Sequence, residues 1–410
     1  MVVVRNWAGN VTFSTDLVHR PRTVEQLQEL VATTRNVRAL GTGHSFNRIA
    51  DTPGELVSVR DLEVPIEVDE PARTVTVGGG VRYGELTVDL QKRGFALHNL
   101  GSLPHIAVAG ACATGTHGSG SRNGCLSTAV VAVEFVNAAG ELVRTTTDHD
   151  TFAGSVLALG AIGIATTLTL RIEPSYEVRQ DVWLDLPLDT FLANLDAIMD
   201  SGYSVSAFSR WARGDVIDQL WIKSRSDGAI ADGRQWGARA ADGAQHPIAG
   251  QDPVTATQQL GVPGPWNARL PHFRLEFTPS NGEEQQSEFV VPRALAADAV
   301  AAVSKLGFDD VLQVCELRTI AADELWLSPF YGRDSLGLHF TWADDDARVA
   351  AAVARVETAL APFDARPHWG KVFQSDPRVH YPLLPRFRNL IDTHDPEHKF
   401  GNAFLDQFVY

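Results

Sequence analysis

The sequence predicts an α+β protein of two domains, and three observations carry the prediction. A chain of 410 residues exceeds what one hydrophobic core usually serves. As far as Pro174, short β-branched runs alternate with helical ones and end in glycine-rich turns. From Tyr176 the texture changes, with Trp183, Trp211, Trp221, Trp236 and Trp266 spread among longer polar loops. The first domain is therefore expected to span 1–174, and the second to begin at 175.

Taken in order, Trp7 to Phe13 reads as a strand. Pro21 to Thr34 reads as an amphipathic helix opened by Arg22-Thr23-Val24-Glu25, with Leu27, Leu30 and Val31 on one face. Val37 to Leu40 is the end of a short buried strand that feeds the turn Gly41-Thr42-Gly43. Missing side chains there let the backbone approach a ligand, and successive N–H groups make an anion nest suited to a pyrophosphate. His44 follows at once, an imidazole placed where a cofactor would lie. Leu56 to Val59 and Thr74 to Val77 read as strands, the second ending in Gly78-Gly79-Gly80. Tyr83 to Arg93 reads as a helix stopped by Gly94.

Between Gly101 and Gly120 nearly every residue from Ala107 onward is small, which marks a place where something large lies against the backbone. Ile106, Val108 and Cys112 are spaced as buried residues, unlike a flexible linker, and Thr114, Thr116, His117 and Ser119 add polar groups. No G-x-G-x-x-G opens a helix after a strand here, so the stretch is a cofactor bed but not the dinucleotide fingerprint. Val130 to Val136 and Leu142 to Thr145 form a hairpin turned at Asn137-Ala138-Ala139-Gly140. Phe152 to Leu159 reads as helical, and Gly160 to Ile164 leads into a strand from Ala165 to Ile172 closed by Glu173-Pro174.

In the second domain Pro271 to Phe277, Val311 to Arg318 and Gly337 to Trp342 read as strands. Arg348 to Leu360 is a helix with Val349, Val353, Val356 and Leu360 on one face. A sheet with helices on one side is the simplest arrangement. Asp227 to Pro265 reads as a long surface excursion, and the chain ends in a strand-like Gln407 to Tyr410. A net charge of −15 argues against nucleic acid and anionic membrane as partners. The start lacks the pattern of a secretory leader and no apolar run is long enough to span a bilayer. Cys112, Cys125 and Cys315 show neither metal nor disulfide spacing. A cytoplasmic protein is the expectation.

Gly41-Thr42-Gly43-His44-Ser45, the bed ending in Thr114-Gly115-Thr116-His117-Gly118, Gly160 to Ile164 and His368-Trp369-Gly370-Lys371 occur together and in this order. In this the chain resembles the flavoprotein family of vanillyl-alcohol oxidase type, in its sugar and aldonolactone oxidase branch, and within it the alditol (xylitol or sorbitol) oxidases. The resemblance covers nearly the whole chain. It implies a split FAD-binding domain of PCMH type, with 367–410 returning to it, and a central substrate cap over 175–366 with a sheet and flanking helices.

The resemblance also implies the chemistry: a linear polyol oxidised at its terminal hydroxyl to the aldose, with O2 reduced to H2O2. It puts FAD against Gly41, Thr42, Gly43, His44, Ser45, Phe46 and Asn47, and against Ser102, Ala107 and Gly110. Thr114, Gly115, Thr116, His117, Ile164 and His368 complete the cofactor set. His44 holds the position of a histidine bonded to the flavin 8α carbon, and the later loop Gly160 to Ile164 has no cysteine for a second bond. No metal is expected: Pro396 interrupts the helix that would align His394 with His398.

A polyol calls for a fixed array of charged and hydroxyl groups. Glu316 and Arg318 are two apart on a strand, as are His339 and Thr341, so each pair shares a face. Glu316, Arg318 and Thr341, with Ser102 and Lys371, which the resemblance puts beside the flavin, are the substrate-binding candidates, and the resemblance implies that the small Gly101 leaves the flavin edge open to oxygen. Lys371, Arg318 and His339 are the catalytic candidates. Whether Lys371 or His339 takes the hydroxyl proton stays open. Partners are the polyol and O2, with a monomer expected. An aldonolactone oxidase or dehydrogenase on the same fold is the nearer alternative, and a metal-dependent sugar-processing or sugar-binding protein the more distant one.

Overall fold

Trp7–Phe13 does not form the expected strand. In the computed structural model, which describes residues 3–277 and 284–410, this stretch is a tight loop with a single bridge between Arg5 and Thr12. Asn6 governs it: its side chain accepts the Val11 N–H at 3.0 Å and donates to the Ser45 carbonyl at 2.9 Å. The loop serves the His44 turn, so its backbone is not free to enter a sheet.

Helix α1 (Val24–Thr33) starts where Thr23 accepts the Gln26 N–H at 3.3 Å, and it buries Leu27 and Val31. Strands β1 (Val37–Ala39) and β2 (Glu55–Val57) run parallel, with the two-residue strand Val18–His19 beyond β2. Next come β3 (Glu67–Asp69) and β4 (Thr74–Gly78), then α2 (Tyr83–Lys92) and a helix inside the small-residue bed, α3 (Val108–Ala113). The predicted hairpin is β5 (Val130–Val136) and β6 (Leu142–Thr146), with Val133 opposite Thr145. Helix α4 (Phe152–Val156) and strand β7 (Ile164–Arg171) follow, giving a five-stranded antiparallel sheet ordered β3-β4-β7-β5-β6.

The second part is built on β8 (Glu177–Pro187), β9 (Ser204–Ser209), β10 (Val216–Arg225), β11 (Glu284–Pro292), β12 (Leu312–Ile320) and β13 (Ser335–Ala343). These run antiparallel in the order β8-β10-β9-β12-β13-β11; three two-residue strands, Arg239–Ala240, Gly264–Pro265 and Arg366–Pro367, complete a nine-stranded sheet. Alternation decides its faces. Leu336, Leu338, Phe340 and Trp342 of β13 join Cys315 and Leu317 of β12 in one apolar cluster with helices α5 (Leu188–Ala193), α6 (Leu195–Met199), α7 (Ala296–Val303) and α8 (Asp346–Leu360). His339, Thr341, Glu316 and Arg318 face the other way, into a cavity. The expected sheet with helices on one side is present. Helix α8 begins two residues before the predicted start because Asp345 caps it, accepting the Arg348 N–H at 3.1 Å.

Pro271–Phe277 is not a strand: only Phe273 bridges, to Ala256. The Leu270 and Pro271 carbonyls accept from the Lys223 ammonium, and so make no ladder. The Asp227–Pro265 excursion is more than surface, since residues between His246 and Thr255 wall the cavity. Gln407–Tyr410 does not form a strand either. After α9 (Leu384–His394) the chain ends on α10 (Ala403–Phe408), capped by Asn402 accepting the Leu405 N–H at 2.9 Å, with Phe404, Leu405 and Phe408 buried at helical spacing. Among the described residues no helix is long and apolar enough to cross a membrane.

Candidate active site

One large cavity, about 720 Å³, lies between the first sheets and the polar face of the second. On one side is the His44 turn. Gly43 takes φ +71°, which a glycine adopts without strain, and its carbonyl accepts the Trp7 N–H at 2.8 Å. The imidazole of His44 stacks on Trp7 at 5.0 Å and its Nδ1 lies 2.9 Å from the Thr42 hydroxyl. Burial, aided by the cation of Lys371, pushes its pKa down to about 4, so the ring is neutral. Asn47 ties this turn to the closing segment, donating to the Trp369 and Lys371 carbonyls at 2.8 and 2.7 Å.

On the other side adjacent strands bring polar groups into one wall. Glu316 of β12 is paired across to His339 of β13, which is paired to Glu288 of β11, and Thr341 to Gln286. Arg318 donates to Glu288 at 3.0 Å, has its Nε 3.6 Å from Glu316, and reaches Ser102 at 3.5 Å. Burial works against both carboxylates, yet Arg318 with His272 holds Glu316, and His117 with Arg318 holds Glu288, well below the usual carboxylate range. Both are ionised.

Lys371 donates to Gln286 Oε1 and lies over the Phe46 ring at 4.7 Å. Burial pushes its pKa down to about 8. His339 Nε2 is 3.0 Å from the same Gln286 oxygen, while the Gln286 amide nitrogen donates to Glu284 at 2.6 Å. That amide orientation requires His339 to donate from Nε2, leaving Nδ1 as a lone pair with no hydrogen-bond partner, 3.9 Å from Glu316. Burial, then the charge of Lys371, pushes the His339 pKa down to about 3.

Of the sequence-predicted residues, Glu316, Arg318, His339, Thr341 and Lys371 line this one cavity, together with Ser102, Gly41 to Asn47, Ala107, Gly110, Thr114, Thr116, His117, Ile164 and His368. Gly115 does not. Its φ is +73°, and a Cβ there would meet Leu157 at 3.0 Å and Pro329 at 3.2 Å, behind the wall. Sequence reading missed Gln286, Glu288, His272 and Lys223. The first two were legible as alternate polar positions in Glu284-Gln285-Gln286-Ser287-Glu288, a strand whose polar density hid it.

Among the described residues His117, Glu288 and His368 put potential ligand atoms within 4.8 Å of one another. Glu288 already holds the Arg318 guanidinium and lies 2.9 Å from His117 Nε2, and His368 Nδ1 accepts the Gly370 N–H at 3.0 Å. His394 and His398 point to different neighbours, Phe135 and Tyr410.

Two family models match the chain: an FAD binding domain over residues 15–146 and D-arabinono-1,4-lactone oxidase over residues 282–408. An alditol oxidase of Streptomyces sp. (strain IKD472 / FERM P-14339) is 49% identical over 410 residues, covering 98% of each chain. The chain belongs to the alditol oxidase family. A more distant relative is the L-gulono-1,4-lactone dehydrogenase of Mycobacterium tuberculosis, 27% identical over 97% of each chain. Among solved structures, cholesterol oxidase from B. sterolicum matches with a TM-score of 0.81 at 15% identity, covering 100% of this chain and 96% of that one, which establishes the fold alone.

The family cofactor is FAD, and the lining fits it. A Cβ at Gly110 would meet nothing within 4 Å, and one at Gly41 only the Ala107 Cβ at 3.9 Å, so the small residues keep open space along the bed. The volume lies within the range of about 300–1,000 Å³ usual for ligand sites.

Proposed function

We propose that the chain is a covalent FAD-dependent alditol oxidase that converts the terminal hydroxyl of a linear polyol such as xylitol or sorbitol to the aldehyde of the aldose. The observation that carries this is the wall of ionised carboxylates and cations facing the His44 turn across one cavity. When bound, FAD would take hydride from the alcohol carbon and pass the electrons to O2, giving H2O2.

The side chains divide the remaining work. Arg318 and Lys371 hold the alcohol oxygen and stabilise the negative charge it gains on losing its proton. His339 takes that proton at Nδ1: its ring is neutral and this nitrogen is unpartnered, whereas Lys371 is mostly a cation near neutrality. Glu316, with Thr341 and Ser102, holds hydroxyls along the chain. His44 is the better candidate for the covalent link than His117: it is neutral and only partly buried, while His117 stands 2.9 Å from Glu288 with a fully buried side chain. The same reading carries domain boundaries at 174 and 366 and a cytoplasmic monomer.

The test is direct. Purified protein is expected to be yellow, to keep its pigment after acid precipitation, and to consume O2 with xylitol and sorbitol while forming H2O2. His44→Ala should release the pigment into the acid supernatant. Acid-stable pigment in that variant would refute the linkage. Oxygen uptake with aldonolactones but not alditols would favour the lactone oxidase reading.

A further inference from the structure

Behind Glu316 lies a buried chain of groups. Lys223 on β10 is 1% exposed, and its Nζ has three neighbours: the carbonyls of Leu270 at 2.5 Å and Pro271 at 3.1 Å, and His272 Nδ1 at 3.1 Å. Burial pushes the Lys223 pKa down to about 7, so below neutrality it is an ammonium with three protons and no lone pair; three acceptors then satisfy it and His272 Nδ1 must be one of them. The ring's other nitrogen, Nε2, lies 2.7 Å from Glu316 Oε1. An ionised carboxylate only accepts, so Nε2 carries the proton. Both ends of the imidazole demand the same tautomer. Phe208 and Trp221 stand edge-on to the ring at 5.6 and 5.4 Å and fix its plane.

We propose that Lys223 and His272 are positioning residues for the polyol: Lys223 sets the His272 tautomer, and His272 pins one oxygen of Glu316, leaving the other for substrate hydroxyls. The proposal deepens, and rests on, the reading of this cavity as an alditol site. The geometry on the far side agrees. Oε1 of Glu316 is taken by His272 at 2.7 Å and neighboured by Arg318 Nε at 3.6 Å, whereas Oε2 has His339 Nδ1 only at 3.9 Å, beyond hydrogen-bond range. Without the Nε2–H, the carboxylate is free to turn toward Arg318, and the acceptor is no longer held where a polyol needs it. His272 itself lines the cavity while Lys223 does not, so the ammonium acts only through the ring.

The experiment uses the holoenzyme and two readouts. Nitrogen-15 spectra of histidine-labelled wild type, with the His272 signals assigned by their loss in His272→Gln, should show the Nε2–H tautomer. An Nδ1–H tautomer would overturn the proposal. Second, anaerobic mixing with xylitol gives a half-saturating concentration and a limiting rate of flavin reduction. Lys223→Met and His272→Leu should raise the half-saturating concentration about tenfold or more, the effect of losing a hydrogen bond to a charged group. The limiting rate should change by less than about twofold, because uniform binding is what is lost. His272→Gln, whose amide can donate from the same place, should recover most of the loss. Wild-type half-saturation in His272→Leu, or a slower limiting rate with half-saturation unchanged, would also refute it. A wild type whose flavin no polyol reduces would sink the substrate reading, and the nitrogen spectra would still decide the tautomer.

Discussion

Lys371 and His339 share one acceptor, Gln286 Oε1, yet their protonation is opposite: burial pushes the lysine to about 8 and the histidine to about 3. Their roles therefore separate by pH. If Lys371 acts as a cation and His339 as the base, the limiting rate of flavin reduction should be flat from about pH 5 to 7 and fall as pH rises through 8. If Lys371 were the base, the rate would climb through that range instead. Stopped-flow reduction with xylitol across this range tells the two apart. Lys371→Ala should lower the limiting rate about tenfold or more, as expected when a charge-assisted contact to the developing oxyanion is lost. The other decisive single residue is Gly101. A Cβ there would meet Thr116 at 3.5 Å and the His117 carbonyl at 3.8 Å, ordinary contacts that the fold tolerates. Gly101→Val should consequently slow reoxidation by O2 far more than reduction by the alditol. Equal slowing of both half-reactions would mean damage to the whole site and no oxygen path at this residue.

At the scale of strands, the site is a product of register. Glu288, His339 and Glu316 stand side by side because β11, β13 and β12 are antiparallel neighbours with those residues paired. Gly337 lies one step along the same face, and a Cβ there would come 3.0 Å from Glu288 Oε1. Gly337→Ala should push Glu288 off Arg318 and lower the reduction rate about tenfold while FAD loading stays intact. An unchanged rate, with the same flavin absorbance per chain, would show that this pairing does not position Arg318. The same strands explain what was legible beforehand. Glu316/Arg318 and His339/Thr341 could be read as shared faces because a period of two survives in any sheet. Gln286 and Glu288 stayed hidden, since strand order across the sheet is set by contacts distant in sequence, and a strand opening Glu-Gln-Gln-Ser-Glu looks like a loop. The tail failed for a related reason. Gln407 to Tyr410 has strand-like residues, but the Asn402 cap and the burial of Phe404, Leu405 and Phe408 make a helix the better solution. Trp7 to Phe13 lost its ladder to Asn6, whose side chain claims the local backbone.

In the whole molecule, distant stretches of chain must meet for the cofactor bed to exist, and one guanidinium gathers three of them. Arg38 is 2% exposed and donates to Ile49 at 2.5 Å just after the His44 turn, to Leu159 at 2.7 Å before the second glycine-rich loop, and to Phe400 at 2.5 Å in the closing segment. Every acceptor is a backbone carbonyl. Lys399 repeats the device from the tail, donating to Val31 at 2.6 Å and Ala138 at 2.8 Å, and Asn402 caps the carbonyls of Ile49 and Asp51 at 3.1 and 2.7 Å. Burial lowers the Arg38 pKa to about 10, so it remains charged at neutral pH. Arg38→Met keeps the bulk and removes all the donors: the Leu159 and Phe400 carbonyls lose theirs, and Gly160 loses a longer contact at 3.4 Å, while Ile49 keeps the Asn402 amide. Each orphaned buried group costs roughly 1–3 kcal/mol, so a total of about 2–5 kcal/mol is expected once the site relaxes. For a chain of 410 residues that corresponds to a drop in Tm of roughly 2–6 °C by calorimetry. Arg38→Lys should recover little of it, because a single ammonium lacks the planar fork that reaches carbonyls from three directions. The loss should extend to the bed, with FAD released more readily on heating than from wild type. A Tm within about 1 °C of wild type for Arg38→Met, less than one orphaned carbonyl would cost, would mean that the tail is held by Lys399 and Asn402 without it.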